Sequence, residues 1–274
     1  MFKLLHSSSI TTNNMKIKNQ NSDQKPNIDS QHYQHWIDSG ISDAQIKVNL
    51  NSIASQKPTK RPEALERLYP TSETDIFYWS GGWVSGGFDL ETKEYVENLV
   101  FRSNVTKQTL SPFSNGFNQT QETNYEYGYN CGCLAPAIPL ELAEKHLNKY
   151  DGWESFRDNY QGDPLFCAWD FAINNPEKIP INVAEGILDT QFLINQNGLT
   201  IGLKDFRSWC TLASSGNKEK NLHPSLLPLL SNGRKINLWF NEPLARSKKG
   251  TIRTHTKEFG KKLFVGMLRK IIRS

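Results

Sequence analysis

Two glutamates stand where a carboxylate could meet a phosphate or a divalent cation. Glu185 closes the apolar run Ile179-Pro180-Ile181-Asn182-Val183-Ala184. Glu242 lies in the turn Asn241-Glu242-Pro243, after Lys235-Ile236-Asn237-Leu238-Trp239-Phe240. Both runs read as short strands, and polar residues past the carboxyl ends of parallel strands line the crevice where ligands bind. Glu185 and Glu242 are therefore the candidate site residues of that crevice. The competing reading of Glu185 is a first-turn helix residue favoured by the helix dipole. For Glu242 it is a solvent-facing charge in a turn.

A second chemistry is electrostatic. From Arg234 to Ser274 there are twelve Lys or Arg against two Glu, a charge of +10 in a chain of net +4, which leaves −6 before it. Periodicity predicts a helix from about Thr254 to Ile272, with Phe259, Leu263, Met267 and Ile271 in four-residue steps and Phe264, Leu268 and Ile272 widening the stripe. Lys248, Lys249, Arg253, Lys257, Lys261 and Lys262 are the candidate nucleic-acid-binding residues, because lysine and arginine neutralise phosphates in a sequence-tolerant way. A solvated face opposite a packed stripe is the alternative. Tyr78, Trp79 and Trp83 could stack on bases or fill a core. The Gly81-Gly82 and Gly86-Gly87 pairs could admit a phosphate to the backbone, but read more simply as hairpin turns.

Other chemistries find less support. Cys131 and Cys133 form a C-x-C pair without a nearby His, and Cys167 and Cys210 stand apart, so reduced thiols of a cytoplasmic protein are expected rather than zinc or a disulfide scaffold. His146, His223 and His255 are scattered and form no triad with a Ser or Cys. There is no G-x-x-x-x-G-K-[ST] loop, so no ATP-driven motor is expected in this sequence. No run approaches the roughly 20 apolar residues of a membrane-spanning helix, and no membrane partner is expected.

The elements that would position these groups fall into three segments. Residues 1–28 are rich in Ser, Thr, Asn, Gln and Lys and read as a disordered N-terminal leader. Residues 29–165 read as a helical hairpin plus a small antiparallel β region. Its helices end at Gly40 and start at Ser42, a polar linker covers Asn51 to Arg61, and Asp89-Leu90-Glu91-Thr92 turns a hairpin. A polar loop is expected from Ser103 to Asn124, and a helix over 139–150 with Leu140, Ala143 and Leu147 on one face. Residues 166–274 alternate strand and helix, with Gly198 ending the helix after Glu185, Leu199 to Leu203 the next strand and Leu222 to Leu230 a short helix. The fold class is α/β (α+β overall), a small parallel sheet with flanking helices in the C-terminal half.

A strand ending in Glu-Gly, a following helix and strand, and a later strand ending in an acidic turn together resemble a Toprim domain. Along the chain, Trp36-Ile37-Asp38-Ser39-Gly40-Ile41, Gly81 to Asp89, Tyr125-Glu126-Tyr127, Trp169-Asp170-Phe171, Ile179 to Gly186 and Asn237 to Phe240 come in an order similar to the cyanobacterial RepA-like plasmid replication proteins. Their N-terminal domain of unknown function contains a Toprim-like core. The resemblance runs from about His35 to about Leu268 and implies a replication role, DNA before RNA as partner, and a separate replication helicase. Two departures bear on activity. Similar proteins carry lysines after Glu-Gly, where this chain has Ile187-Leu188-Asp189, and Phe-Asp-x-Asp where it has Phe240-Asn241-Glu242-Pro243. What the resemblance leaves as catalytic and Mg2+-ligating candidates is Glu185 and Glu242, with Asp189 a more distant third, and a degenerate, non-catalytic pocket is expected. The alternatives are a Mg2+-dependent primase- or nuclease-like enzyme using Glu185 and Glu242, and a truncated relative serving as a protein-interaction module.

Overall fold

Asp29 and Ser42 each start a helix by accepting a backbone N–H with the side chain. Asp29 Oδ1 takes that of Gln31 at 2.8 Å, and Ser42 Oγ takes that of Gln45 at 3.4 Å. The helices are α1 (Ser30–Asp38) and α2 (Asp43–Asn49), separated by Gly40 at φ +78°. This computed structural model describes residues 27–55, 80–110, 120–127, 133–204, 210–212, 220–229 and 234–239.

Beside the helices lies an antiparallel sheet of β1 (Asn51–Ile53), β2 (Gly82–Phe88), β3 (Tyr95–Leu110) and β4 (Thr120–Tyr127), in that spatial order. Three expectations change here. The start of the predicted linker, Asn51 to Ile53, is a strand, because Ser52 and Ile53 are buried in register with Trp83 and Gly82. The predicted loop from Ser103 is strand as far as Leu110 and again from Thr120. Paired backbones satisfy each other whatever their side chains, so a polar composition hides the ladder. The glycine pairs do not turn a hairpin. Gly82, Gly86 and Gly87 lie inside β2, where Gly87 lets Ala135 O come within 3.2 Å of the position of a Cβ. The turn itself is built by Asp89, whose Oδ1 accepts the N–H groups of Glu91 and Thr92 at 2.8 and 3.1 Å.

The second sheet is mixed, in the order β10-β6-β7-β5. Its strands are β5 (Cys133–Leu134), β6 (Ile181–Glu185), β7 (Thr200–Leu203) and β10 (Ile236–Trp239). The last three are parallel and β5 is antiparallel to β7. A small pair, β8 (Cys210–Leu212) and β9 (Lys220–Leu222), stands between β7 and β10 in the chain. The helices α3 (Leu140–Leu147), α4 (Trp153–Asp158), α5 (Cys167–Asn174) and α6 (Ile187–Asn197) complete the fold with a 3-10 helix, Pro224–Leu229, where a short helix was expected. Leu140 departs from expectation. It is 41 % exposed at the start of α3, and Leu142, Ala143 and Leu147 form the packed face.

The apolar residues form two cores. The larger gathers Ile181, Val183, Ile201 and Leu203 from the parallel strands with Trp153, Trp169 and Phe171 from the helices. The smaller gathers Trp36, Ile46, Trp83, Val100, Leu134 and Ile187. The segment between β5 and α3 joins them. Asn49 grips it like a neighbouring strand, donating to Ala137 O at 2.9 Å and accepting Ala137 N–H at 3.0 Å. Phe88 N–H donates to Ala135 O at 2.7 Å, and Trp169 Nε1 to Pro136 O at 2.8 Å. Arg234 is 2 % exposed, and its guanidinium donates to Ala172 O near the end of α5 and to Ile179 O before β6, both at 2.6 Å. A cation there suits the negative end of the helix, while burial lowers its pKa to about 10.

Candidate nucleic-acid interface

β6 has a parallel partner on each flank, β7 reached through α6 and β10 reached much later in the chain. This is the arrangement in which connections part from a central strand and leave a crevice at its carboxyl end. Glu185, the last residue of β6, is partly buried there, in register with Leu203 of β7. Gly186 at φ +87° turns the chain from strand into helix, and its carbonyl accepts the Thr190 hydroxyl at 2.5 Å. The apolar spacing of Ile187 and Leu188 fixes the start of α6 by packing both residues with the smaller core. Asp189 is left in the first turn.

The antiparallel sheet forms the rim of this crevice. Tyr125 and Tyr127 alternate along β4 and pack with Ile187 and Leu188. Lys204, the first residue past β7, holds its Nζ 5.7 Å from the Tyr127 ring centre. Arg102 of β3 lies 5.8 Å over Tyr125, whose other neighbour is the edge of Trp83 at 5.8 Å. Such cation–aromatic contacts orient a charge without neutralising it. Burial raises the Tyr125 hydroxyl pKa, the Arg102 charge and hydrogen bond pull it down, and Asp189 pushes it up. These residues are therefore close enough to feel one another's charge.

Of the sequence-predicted site residues, Glu185 and Asp189 are described, the first at the end of β6 and the second in the first turn of α6. Glu242 lies outside the described residues, as do Lys248, Lys249, Arg253, Lys257, Lys261 and Lys262. Trp239, the last described residue of β10, pairs with Ala184 and stands three positions before Glu242 in the sequence. Trp83 is fully buried and serves the core, not an exposed stacking platform, because Trp36 and Tyr125 meet it edge to face. Tyr78 and Trp79 lie outside the described residues. The sequence reading passed over Arg102 and Lys204. Lys204 was open to discovery by the rule that picked Glu185, since both stand at the carboxyl ends of parallel strands. Arg102 carried no such mark, because its segment was read as the end of a strand and the start of a loop.

Among the described residues no three His, Cys, Asp or Glu come together in a group that could hold an ion. Cys133 and Cys167 are buried, and burial pushes the Cys167 thiol up to about 11. His146 donates Nε2–H to Ile194 O at 2.7 Å and tethers α3 to α6.

Residues 168–265 match a family described as a domain of unknown function, DUF3854. The match begins in α5 and takes in the parallel strands β6, β7 and β10 together with Glu185 and Lys204. No curated protein and no solved structure matches the chain. No helix among the described residues is long and apolar enough to cross a membrane.

Proposed function

We propose that this chain binds nucleic acid, DNA before RNA, through a positive surface beside the β6 crevice, and that it does not catalyse phosphoryl transfer. The observation that supports the reading is the pairing of Lys204 with Tyr127 and of Arg102 with Tyr125. Cations neutralise phosphates and aromatics steady them, the combination used on nucleic-acid strands. Lys248 and Lys249 follow β10 in sequence, and β10 runs parallel to β6, so the chain emerges from the sheet on the same side as Glu185. The likeness to the cyanobacterial RepA-like proteins and to a Toprim core adds a replication role, a cytoplasmic location and a separate helicase as partner.

The test is a titration of fluorescent single- and double-stranded DNA at about 50 and 200 mM salt, where each phosphate contact contributes roughly −0.9 to the logarithmic salt slope. Binding is expected to weaken steeply with salt. Lys204→Met and Lys248→Met are each expected to reduce the slope by about 1. Salt-independent binding, or none, would overturn the reading. Mg2+-dependent cleavage lost in Glu185→Ala would replace it with an enzyme.

A further inference from the structure

A cavity of about 360 Å3 opens at the start of α1, lined by Asn27, Asp29, Gln31, His32, Ser52 and Asn104 among others. Its wall holds a relay of three side chains. Ser52 Oγ is 2.8 Å from His32 Nδ1, and His32 Nε2 is 2.9 Å from Asn104 Oδ1. One amide sets the direction of both hydrogen bonds. Asn104 Nδ2 donates to Ser80 O at 3.2 Å, which turns Oδ1 toward the imidazole. An amide oxygen only accepts, so His32 Nε2 carries the ring proton. The neutral ring then presents a bare Nδ1, to which the Ser52 hydroxyl donates. Asp29 N–H donates to the same Oγ at 2.8 Å and fixes the position of the hydroxyl.

Ser52 is 9 % exposed and His32 is 8 % exposed, so both stand in a largely water-excluded wall of the cavity. Tying α1 to β1 needs only the Asp29–Ser52 bond. A hydroxyl, an imidazole and an orienting acceptor in line, facing a cavity, are the parts of an activated nucleophile. We propose that Ser52 is such a nucleophile, with His32 its general base and Asn104 the residue that positions the imidazole, and that it cleaves esters of small polar acyl groups. Ser52 Oγ attacks the ester carbonyl carbon while its proton passes to His32 Nδ1. The carbon–oxygen bond of the ester breaks, the leaving alkoxide takes the proton from Nδ1, and the acyl group stays on Ser52. Water then gives a proton to Nδ1 and attacks the acyl carbon. The acid departs as Oγ recovers that proton. The cavity is at the small end of ligand pockets, and its amide-rich lining selects short polar acyl groups.

The experiment treats the full chain with p-nitrophenyl acetate and, separately, with a fluorophosphonate, and maps the modified peptide by mass spectrometry. Ser52 is expected to carry the label in the native chain and to lose it in urea. His32→Gln is expected to slow labelling at least about 100-fold, the usual lower range for a general base. Asn104→Asp, which keeps the acceptor, should retain more rate than Asn104→Ala. An unlabelled Ser52 in the native chain overturns the proposal. So does a rate that survives urea or, where circular dichroism shows His32→Gln folded, a rate that this variant leaves unchanged. If His32→Gln does not fold, the native and urea measurements decide.

Discussion

The two cores differ in how they are filled. The smaller is centred on Trp36 and Trp83, whose rings meet edge to face at 5.3 Å and 80°, with a few aliphatic side chains around them. The larger spreads its burial over many side chains, from Ile181 and Val183 to Trp153, Trp169 and Leu226. A core with few anchors concentrates stability in each of them, whereas a core with many dilutes it.

The largest expected effect follows from that contrast. Trp83→Ala should cost about 3–5 kcal/mol, against about 0.5–1.5 kcal/mol for shaving one methyl from the larger core in Ile201→Val. Urea unfolding of both variants measures the difference, and equal losses would erase the distinction between the cores. Next come two glycines at positive φ, one beside each sheet. A Cβ on Gly82, at φ +155°, would run into the Arg102 carbonyl, whereas Gly186, at φ +87°, has open space around it. Gly186→Ala should therefore cost only the backbone term, roughly 1–2 kcal/mol, and Gly82→Ala more. A reversed order would mean that β2 and β3 can part without penalty.

Each region also holds a histidine whose pKa is lowered, His35 by burial and then by Arg102, and His146 by burial against the raising effect of its bond to Ile194 O. The unfolded chain then binds more protons than the folded one below the ordinary value of 6.5. Stability is full above that value and falls as pH drops through it. His35→Gln and His146→Gln should each flatten the fall, which unfolding at pH 7.5 and 5.5, roughly either side of an imidazole's ordinary range, will read. The smallest effect belongs to Lys93, on the hairpin turn, which reaches Asp170 of α5 at 2.8 Å. Lys93 is half exposed, so Lys93→Met should change stability by about 1 kcal/mol or less. A larger loss would make this ion pair a principal link between the two regions.

The two regions were not equally legible in the sequence. The stretch from Ile179 to Leu203 declares itself, because a strand buried on both faces is an unbroken apolar run and Gly198 marks the helix end. The antiparallel sheet hides its extent. β1 is three residues long, and β3 continues into Thr106-Lys107-Gln108, whose composition reads as a loop. β1 takes its strand character from β2, 29 to 33 residues away, and this end of β3 takes it from β4, 14 to 16 residues away at Gln108 and Lys107. Glu185 was visible as a site residue because it ends an apolar run. Arg102, Ser52 and His32 were not, since each gains its role from a neighbour that only the folded chain supplies.

The stretch from Cys133 to Ile138 has a consequence for how the molecule comes apart. Leu134 belongs to the smaller core, while Cys133, Ala135, Ala137 and Ile138 belong to the larger. Its backbone is held by β7, Phe88, Asn49 and Leu165 at once. Neither core can melt without stripping partners from the other, so heat should produce one absorption peak whose calorimetric and van't Hoff enthalpies agree. The amides of Leu134 and Ala137 should exchange with solvent deuterium only through that same global opening, which makes this six-residue spine the place where the two halves keep a common clock.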